Sequence, residues 1–562
     1  MKALRHTLVL GLALLCVSKS SAHPPAPPAR RAAAQVDPAA EALIHTAKGF
    51  PNEGQPQLIP ADRAANLRVT IVDKATGKPT FCRVNVVGPD GNFYEPTENQ
   101  LAPWSLHRLG NRQGKGPFRY YGWFFYTSGE FTVDVPPGAT RIEVWKGYEY
   151  RPITHELTTT KGANAPLKLE LERTASLAEA GYYSGDIHIH LSRTSETDDQ
   201  RIFDLLEAED IQFGTLLSHN DGKTYGGMVE RQLHPQARGF GAAAIVERGP
   251  YAIASGQEYV TASYGHILLF LHQRLVMSGM TNDPNRWPLL GLLGEETRKL
   301  GGYSFHAHGG YANEIYIDFA QRATDGVELL QFAEYRGIAL EGWYRMLNIG
   351  SRFPAVGASD YPFCRMLGDC RTYVYSPARP TFPDWSRRAA DGRSFFTTGP
   401  LLLLEVDGAR PGDTIRRKSG ESQPVKARLR VRSEVAPITQ VEFVVNGQST
   451  GAKAMPTDAA GRWVEFEEAI PVNGPLWIAA RCSSMSPPGR PDAEAHTNPI
   501  YLTIDGKLPY ATADVDWLIA RIDELITALD KRKFEEKPMA LEFYRKSRAK
   551  LVAIREAGGQ KE

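Results

Sequence analysis

The chain has 562 residues, of which 42% are hydrophobic and 23% charged. That is too long for one ordinary hydrophobic core, so two to four domains are expected, and a disordered or collagen-like chain is excluded. The 65 Lys+Arg nearly balance the 64 Asp+Glu. No basic block interleaves with aromatic residues, which argues against a nucleic-acid partner.

Lys2 and Arg5 precede an apolar run from Thr7 to Val17, which ends in the small-residue stretch Ser18-Lys-Ser-Ser-Ala22. This pattern predicts a signal peptide over 1–22 and an exported protein, periplasmic or extracellular. The run is too short to span a bilayer, and no later segment reaches transmembrane length. Cys16 follows Leu15 rather than a small residue, so no lipid anchor is expected. Residues 23–62 are rich in Pro and Ala and read as a linker. Cys82, Cys364, Cys370 and Cys482 are too few for a disulfide scaffold. Cys364 and Cys370 close a short loop and either pair or stay as thiols.

From Leu67 the chain alternates with period two in Leu67-Arg-Val-Thr-Ile-Val, Cys82-Arg-Val-Asn-Val-Val, Glu130-Phe-Thr-Val-Asp-Val and Arg141-Ile-Glu-Val-Trp. Turns containing Gly and Pro separate these runs, which predicts a β-sandwich over 63–175. The stretch Gly129-Glu-Phe-Thr-Val-Asp-Val-Pro-Pro-Gly resembles the carboxypeptidase-regulatory-like sandwich attached to many secreted hydrolases.

Over 176–396 short apolar strands end in polar residues and alternate with helical segments. The strands are expected at Tyr183–His190, Phe213–His219, Ile253–Tyr259, Tyr303–His308, Val327–Phe332 and Ala355–Asp360. Thr197–Asp210 and Leu289–Leu300 carry helical apolar faces. Alternating strands and helices imply an α/β layer or barrel, with chemistry at the strand C-terminal ends. Residues 397–507 return to β patterning, with an Asn446-Gly hairpin signal, and predict a second sandwich. Residues 508–562 carry an apolar stripe from Leu518 to Ile526 and predict a helical tail.

The chemistry is concentrated in the middle segment. In Gly185-Asp-Ile-His-Ile-His190, strict alternation would place Asp186, His188 and His190 on one strand face and Ile187 and Ile189 on the other. His219, Glu258, His266, His306, His308 and Asp360 follow, most of them at the polar ends of apolar strands. Eight of the 14 histidines lie between positions 188 and 308. One buried histidine is ordinarily a packing residue, but a set placed this way with two acids reads as metal ligands. Imidazole with carboxylate suits Zn, Mn or Fe, and the number of donors exceeds one tetrahedral site, so two or three divalent ions are expected. Such a centre activates water and polarises a substrate oxygen, which points to hydrolysis. Neither a phosphate loop nor a Gly-x-Ser-x-Gly elbow competes. Arg193 and Tyr264 are candidate substrate contacts, with Lys223, Arg336, Arg371 and Tyr361 as further positions near the motif strands.

The order GDxHxH, strand-plus-His, GxE with GH a few residues on, HxH, then GxSD resembles the PHP superfamily. Within it, Tyr183-Ser-Gly-Asp-Ile-His-Ile-His and Gly256-Gln-Glu-Tyr-Val-Thr with Tyr264-Gly-His-Ile-Leu-Leu-Phe are similar to the CehA/McbA-type metallohydrolases. The resemblance spans about residues 180 to 395. It implies a distorted (β/α)7 barrel, flanked here by two β-sandwich domains and a helical C-terminal tail. It also implies metal ligands at His188, His190, His219, Glu258, His266, His308 and Asp360, with His306 as ligand or neighbour. Two positions depart from the pattern: Ser218 stands where the family has Asp, and Tyr361 follows Asp360 where the family has His. The resulting expectation is an exported metal-dependent hydrolase acting through metal-bound hydroxide on an ester, carbamate, amide or phosphoester of a small molecule. The alternatives are an amidohydrolase-type (β/α)8 enzyme and a non-catalytic surface or glycan-binding protein with a degenerate barrel.

Overall fold

The computed structural model describes residues 59–96, 98–101, 123–191, 193, 195–219, 239–274, 276, 285–331, 334–362, 366–435, 437–483 and 494–562. The expected signal peptide, nearly all of the expected linker, Lys223 and Cys364 lie outside these residues, and so does any Cys364–Cys370 pairing. His219 is described by its backbone alone.

Among the described residues, nine strands come first: β1 (Ala65–Asp73), β2 (Cys82–Val87), β3 (Phe93–Tyr94), β4 (Phe125–Thr127), β5 (Glu130–Val135), β6 (Gly138–Trp145), β7 (Ile153–Thr159), β8 (Gly162–Ala163) and β9 (Leu167–Leu171). β1 pairs with β5, β8 and β9, while β2 pairs with β3, β4 and β6, and β6 with β7. On β5, Phe131, Val133 and Val135 are buried while Glu130 and Thr132 are exposed, the period-two pattern of a half-buried strand. Apolar residues from both sheets, Leu67, Val69 and Val133 on one side and Val84, Phe125 and Val144 on the other, share one core.

The histidine-rich segment forms β10 (Tyr182–Ile189), β11 (Phe213–His219), β12 (Val246–Arg248), β13 (Tyr251–Thr261), β14 (Gly265–Phe270), β15 (Tyr303–His306), β16 (Gly326–Gln331), β17 (Glu334–Tyr335), β18 (Ala355–Gly357), β19 (Arg371–Tyr375) and β20 (Ser394–Thr397). β10, β11 and β13 are parallel neighbours, β14 is antiparallel to β13 and β15, and β15, β16 and β18 are again parallel neighbours. A parallel bridge from Ile189 to Tyr361 brings the chain after β18 back beside β10, where the His190 N–H donates to the Tyr361 carbonyl at 2.7 Å.

Among the described residues, five α-helices accompany these strands: α1 (Glu196–Ala208), α2 (Leu290–Lys299), α3 (Ile315–Gln321), α4 (Ala339–Leu347) and α5 (Phe382–Ala390). Ser195 caps α1 by accepting the Asp198 N–H, and the helix buries Ile202, Phe203, Leu205 and Leu206. Ile187, Leu217, Ala254, Leu268, Phe305 and Val356, from six different strands, converge on one apolar cluster that Phe382 and Trp385 of α5 complete. The Trp385 ring stacks on Phe213 at 5.5 Å and its N–H donates to the Tyr183 carbonyl at 2.9 Å. This close approach requires Gly185, where a Cβ would lie 2.3 Å from the Trp385 ring.

Beyond β20, Leu401–Val406, Val425–Arg432 and Val464–Ile470 form a three-stranded antiparallel sheet. Gln440–Val445, Leu476–Ser483 and Glu494–Thr497 continue the histidine-bearing sheet through the Phe395–Thr497 pairing. Asn446 and Gly447 both have positive φ, 47° and 82°, as the primed hairpin turn demands. The tail forms α6 (Thr512–Asp530) and α7 (Lys537–Glu556). α6 buries Val515, Leu518 and Ile522, and α7 meets α3 where Gln321 donates to the Ser547 hydroxyl at 2.8 Å. Among the described residues, no helix is long and apolar enough to cross a membrane.

Candidate metal centre

The end of β10 departs from strict alternation. Its pairing with β11 shifts register between Asp186 and Ile189, and the two isoleucines enter different clusters. Ile187 joins the cluster closed by Trp385, whereas Ile189 packs with Ile202 and Leu205 of α1. A bulge of this kind re-aims the side chains around it. The expectation that Ile187 and Ile189 share a face is therefore corrected, while His188 and His190 still converge, their Nε2 atoms 3.1 Å apart.

Two groups of donors meet at Glu258 on β13. On one side, Glu258 Oε2 is 3.2 Å from His190 Nε2, and Asp360 Oδ1 lies 3.2 Å from His188 Nε2 and 3.3 Å from His190 Nε2. On the other, Glu258 Oε1 is 3.0 Å from His266 Nδ1 and 3.3 Å from His308 Nε2, and these two ring nitrogens are 3.1 Å apart. Each of the trios His188–His190–Glu258 and Glu258–His266–His308 offers ligand atoms within 4.8 Å of one another. Glu258 thus turns Oε2 to His190 and Oε1 to His266 and His308, with His188 Nε2 3.6 Å from Oε1 between them.

Glu328 and Gln331 of β16 fix the rings from behind. His188 Nδ1 lies 2.9 Å from Glu328 Oε1, and His308 Nδ1 lies 2.9 Å from Gln331 Oε1. Gln331 Nε2 donates to Glu328 at 3.3 Å, which orients the amide so that its oxygen faces His308. Each of these two rings thus has an acceptor at Nδ1 and turns its Nε2 into the centre. Neither Glu328 nor Gln331 was expected from sequence. The available signal was two polar side chains in a strand buried along its whole length.

The charges are held in a dry site. Burial opposes the His188 imidazolium, but Glu328, Asp360 and Glu258 together raise its pKa well above the usual range. The same contest leaves His190 at about 9, with Asp360 and Glu258 prevailing over burial. Burial pushes Glu258 up, but His188, His190 and His266 outweigh it and hold the carboxyl well below its usual value. Burial lowers His266 despite Glu258 beside it. Carboxylates and imidazoles stripped of water and converging on shared points form a donor set suited to divalent cations.

The structure places the expected site residues unevenly. His188, His190, Glu258, His266, His308 and Asp360 come together. His306 does not: Phe305 and Ala307 face the interior cluster, so His306 points outward, with Nε2 3.0 Å from Asp318 Oδ2 on α3. His308 returns inward because its backbone is left-handed, with φ 53°. The His219 backbone stands in register with Glu258, and its side chain lies outside the described residues. Arg193 is turned to Asp199 and Ser255, at 2.5 and 2.9 Å, and the Tyr264 hydroxyl donates to the Arg286 carbonyl at 2.7 Å. Arg371 donates to the carbonyls of Gly368 and Glu209, and Arg336 is buried, with the charges of Glu334, Glu328 and Asp360 acting on it.

No protein-family profile matches the chain, and no curated protein matches it. Among solved structures it is similar to PsfC from Pseudomonas syringae, at 19% identity over 37% of this chain and 90% of PsfC, with a TM-score of 0.27. It is also similar to the lesion-specific endonuclease PfuEndoQ from Pyrococcus furiosus, at 12% identity over 38% of this chain and 56% of that one, with a TM-score of 0.24.

Proposed function

We propose that the chain is a metal-dependent hydrolase whose centre is built on Glu258. The observation that carries this reading is the geometry of that carboxylate, with one oxygen toward His190 and the other toward His266 and His308. His188, His190, Asp360 and Glu258 would hold one divalent ion, and Glu258, His266 and His308 a second, with Zn, Mn or Fe suited to the donors. Bound ions of this kind supply Lewis acidity and lower the pKa of water, the chemistry of ester, carbamate, amide or phosphoester hydrolysis. The protein's own contribution is to fix the ring tautomers through Glu328 and Gln331 and to exclude bulk water from the buried half around His188 and Asp360. We read the sheet as a distorted seven-stranded barrel, a reading that the Ile189–Tyr361 bridge supports. The motif order resembling the PHP superfamily, and CehA/McbA-type enzymes within it, supports the same reading, and we read the N-terminal pattern as an export signal.

Elemental analysis of the purified chain, His188→Ala and His266→Ala tests this proposal together with a panel of carboxylester, carbamate, amide and phosphoester substrates. The expected result is at least two equivalents of Zn, Mn or Fe in the wild type, one fewer in each variant, and loss of hydrolysis in His188→Ala. A wild type that stays metal-free after reconstitution would overturn the metal assignment and favour a binding protein. Unchanged turnover in His188→Ala would overturn the hydrolase.

A further inference from the structure

Asp360 reaches the centre from an unusual backbone. It is a non-glycine residue in the left-handed region, with φ 59°, a conformation that persists only where its surroundings impose it. Asp186, buried and two residues before His188, supplies part of that constraint. Its Oδ1 accepts the N–H groups of His188 and Ser359, each at 3.1 Å, and its Oδ2 accepts the Gly368 N–H at 3.1 Å. The Ser359 hydroxyl in turn accepts the Tyr361 N–H at 3.1 Å. Asp186 therefore ties three segments together: the β10 bulge, the turn carrying Asp360, and the turn at Gly368.

The Gly368 turn is gripped from its far side by the N-terminal β unit. Tyr148, which follows β6 and is 1% exposed, donates its hydroxyl to the Asp369 carbonyl at 2.6 Å, with the Gly368 carbonyl 3.3 Å away. The Arg371 guanidinium lies 4.0 Å over the Tyr148 ring, and its Nε donates to the Gly368 carbonyl at 2.9 Å. A continuous set of short contacts thus runs from Tyr148 through Gly368 and Asp186 to Ser359 and Asp360.

We infer that the N-terminal β unit is a positioning element of the metal centre, with Tyr148 and Asp186 as positioning residues that set Asp360 against His188 and His190. This inference rests on the metal-centre reading and assigns the N-terminal sheets a role in it. The contacts act on only one half of the centre: Asp360 lies beside His188 and His190, whereas His266 and His308 are oriented from β14 and β16. The effect should accordingly be unequal between the two ions, which separates positioning from general loosening.

The test is titration of the full-length, chelator-stripped chain with Zn²⁺ alone and with Mn²⁺ alone, in the wild type, Tyr148→Phe and Asp186→Asn. His188→Ala and His266→Ala identify which binding event belongs to which half. Tyr148→Phe keeps the ring under Arg371 and removes only the hydroxyl. The expected result is affinity about tenfold weaker for the ion lost in His188→Ala, with the ion lost in His266→Ala within twofold of wild type. Asp186→Asn, which replaces an acceptor facing the Gly368 N–H with a donor or a weaker acceptor, should show the same selectivity more strongly. Equal weakening of both ions, or no change in either, would overturn the inference while leaving the metal centre standing. A wild type that binds neither ion would overturn both, and is recognised without any variant.

Discussion

Glu328 touches a histidine from each half of the centre, with the His188 ring Nδ1 at one oxygen and the His308 backbone N–H, at 2.9 Å, donating to the other. As a carboxylate it can only accept, which holds the proton of His188 on Nδ1. A glutamine there can rotate its amide and offer a donor to the same nitrogen, releasing the tautomer. Glu328→Gln is expected to weaken metal binding about 10- to 100-fold with a small change in melting temperature, as read by metal titration beside thermal unfolding. Wild-type affinity in that variant would show that Glu328 does not orient the rings. The residue was not legible in the sequence because nothing in Gly326-Val-Glu-Leu-Leu-Gln resembles a ligand pattern. Its role follows from what stands opposite it in space. His188, His190, Glu258, His266, His308 and Asp360 were legible because each sits at or beside the polar end of an apolar run.

At the scale of elements, the second histidine pair shows how local backbone decides which residue enters the centre. Strand alternation sends His306 to α3, and the left-handed turn at His308 and Gly309 then reverses the chain. That turn is admitted because Gly309 and Gly337 pack backbone to backbone. A Cβ on Gly309 would lie 2.0 Å from the Arg336 carbonyl, and one on Gly337 would lie 2.2 Å from the Gly309 carbonyl. Gly309→Ala combines this clash with a φ of 65° that disfavours any Cβ, and is expected to destabilise by about 3 kcal/mol. Denaturant unfolding would measure it, and a loss under 1 kcal/mol would mean the two loops separate easily. Period-two patterning predicted most strand positions in this segment, yet it could not reveal the bulge at Ile187–Ile189 or the reversal at His308. The first arises from pairing with β11, and the second from the close packing of Gly309 on the distant Gly337.

At the scale of the whole molecule, the histidine-bearing sheet and the C-terminal strands are joined through a buried aromatic box around His496. Its ring stacks on Phe396 at 5.7 Å, accepts the Tyr344 hydroxyl at Nε2 at 2.6 Å, and lies with Nδ1 2.7 Å from the Thr497 carbonyl. Burial, aided by the Arg481 charge, lowers its pKa to about 3 although the Thr497 carbonyl opposes the shift. Because the folded-state value is depressed, this contribution to stability is full above the ordinary histidine range near 6.5. It is lost as pH falls from there toward about 3. His496→Phe keeps the stack and removes the titration. Over that window the slope of unfolding free energy against pH is expected to drop by up to about 1.4 kcal/mol per pH unit. An unchanged slope in equilibrium unfolding at several pH values would show that His496 titrates normally.

The carboxylate of Glu258 faces donors that enter the chain far apart, from His188 on β10 to His308 beyond β15. An ion seated there is in effect a cross-link closing several long loops at once, as a disulfide closes one. Contacts so distant in sequence form late when the chain collapses and must all be broken before it comes apart. The centre would therefore govern how long the protein lasts as much as what it does: loaded chains would survive heat and proteases by unfolding slowly.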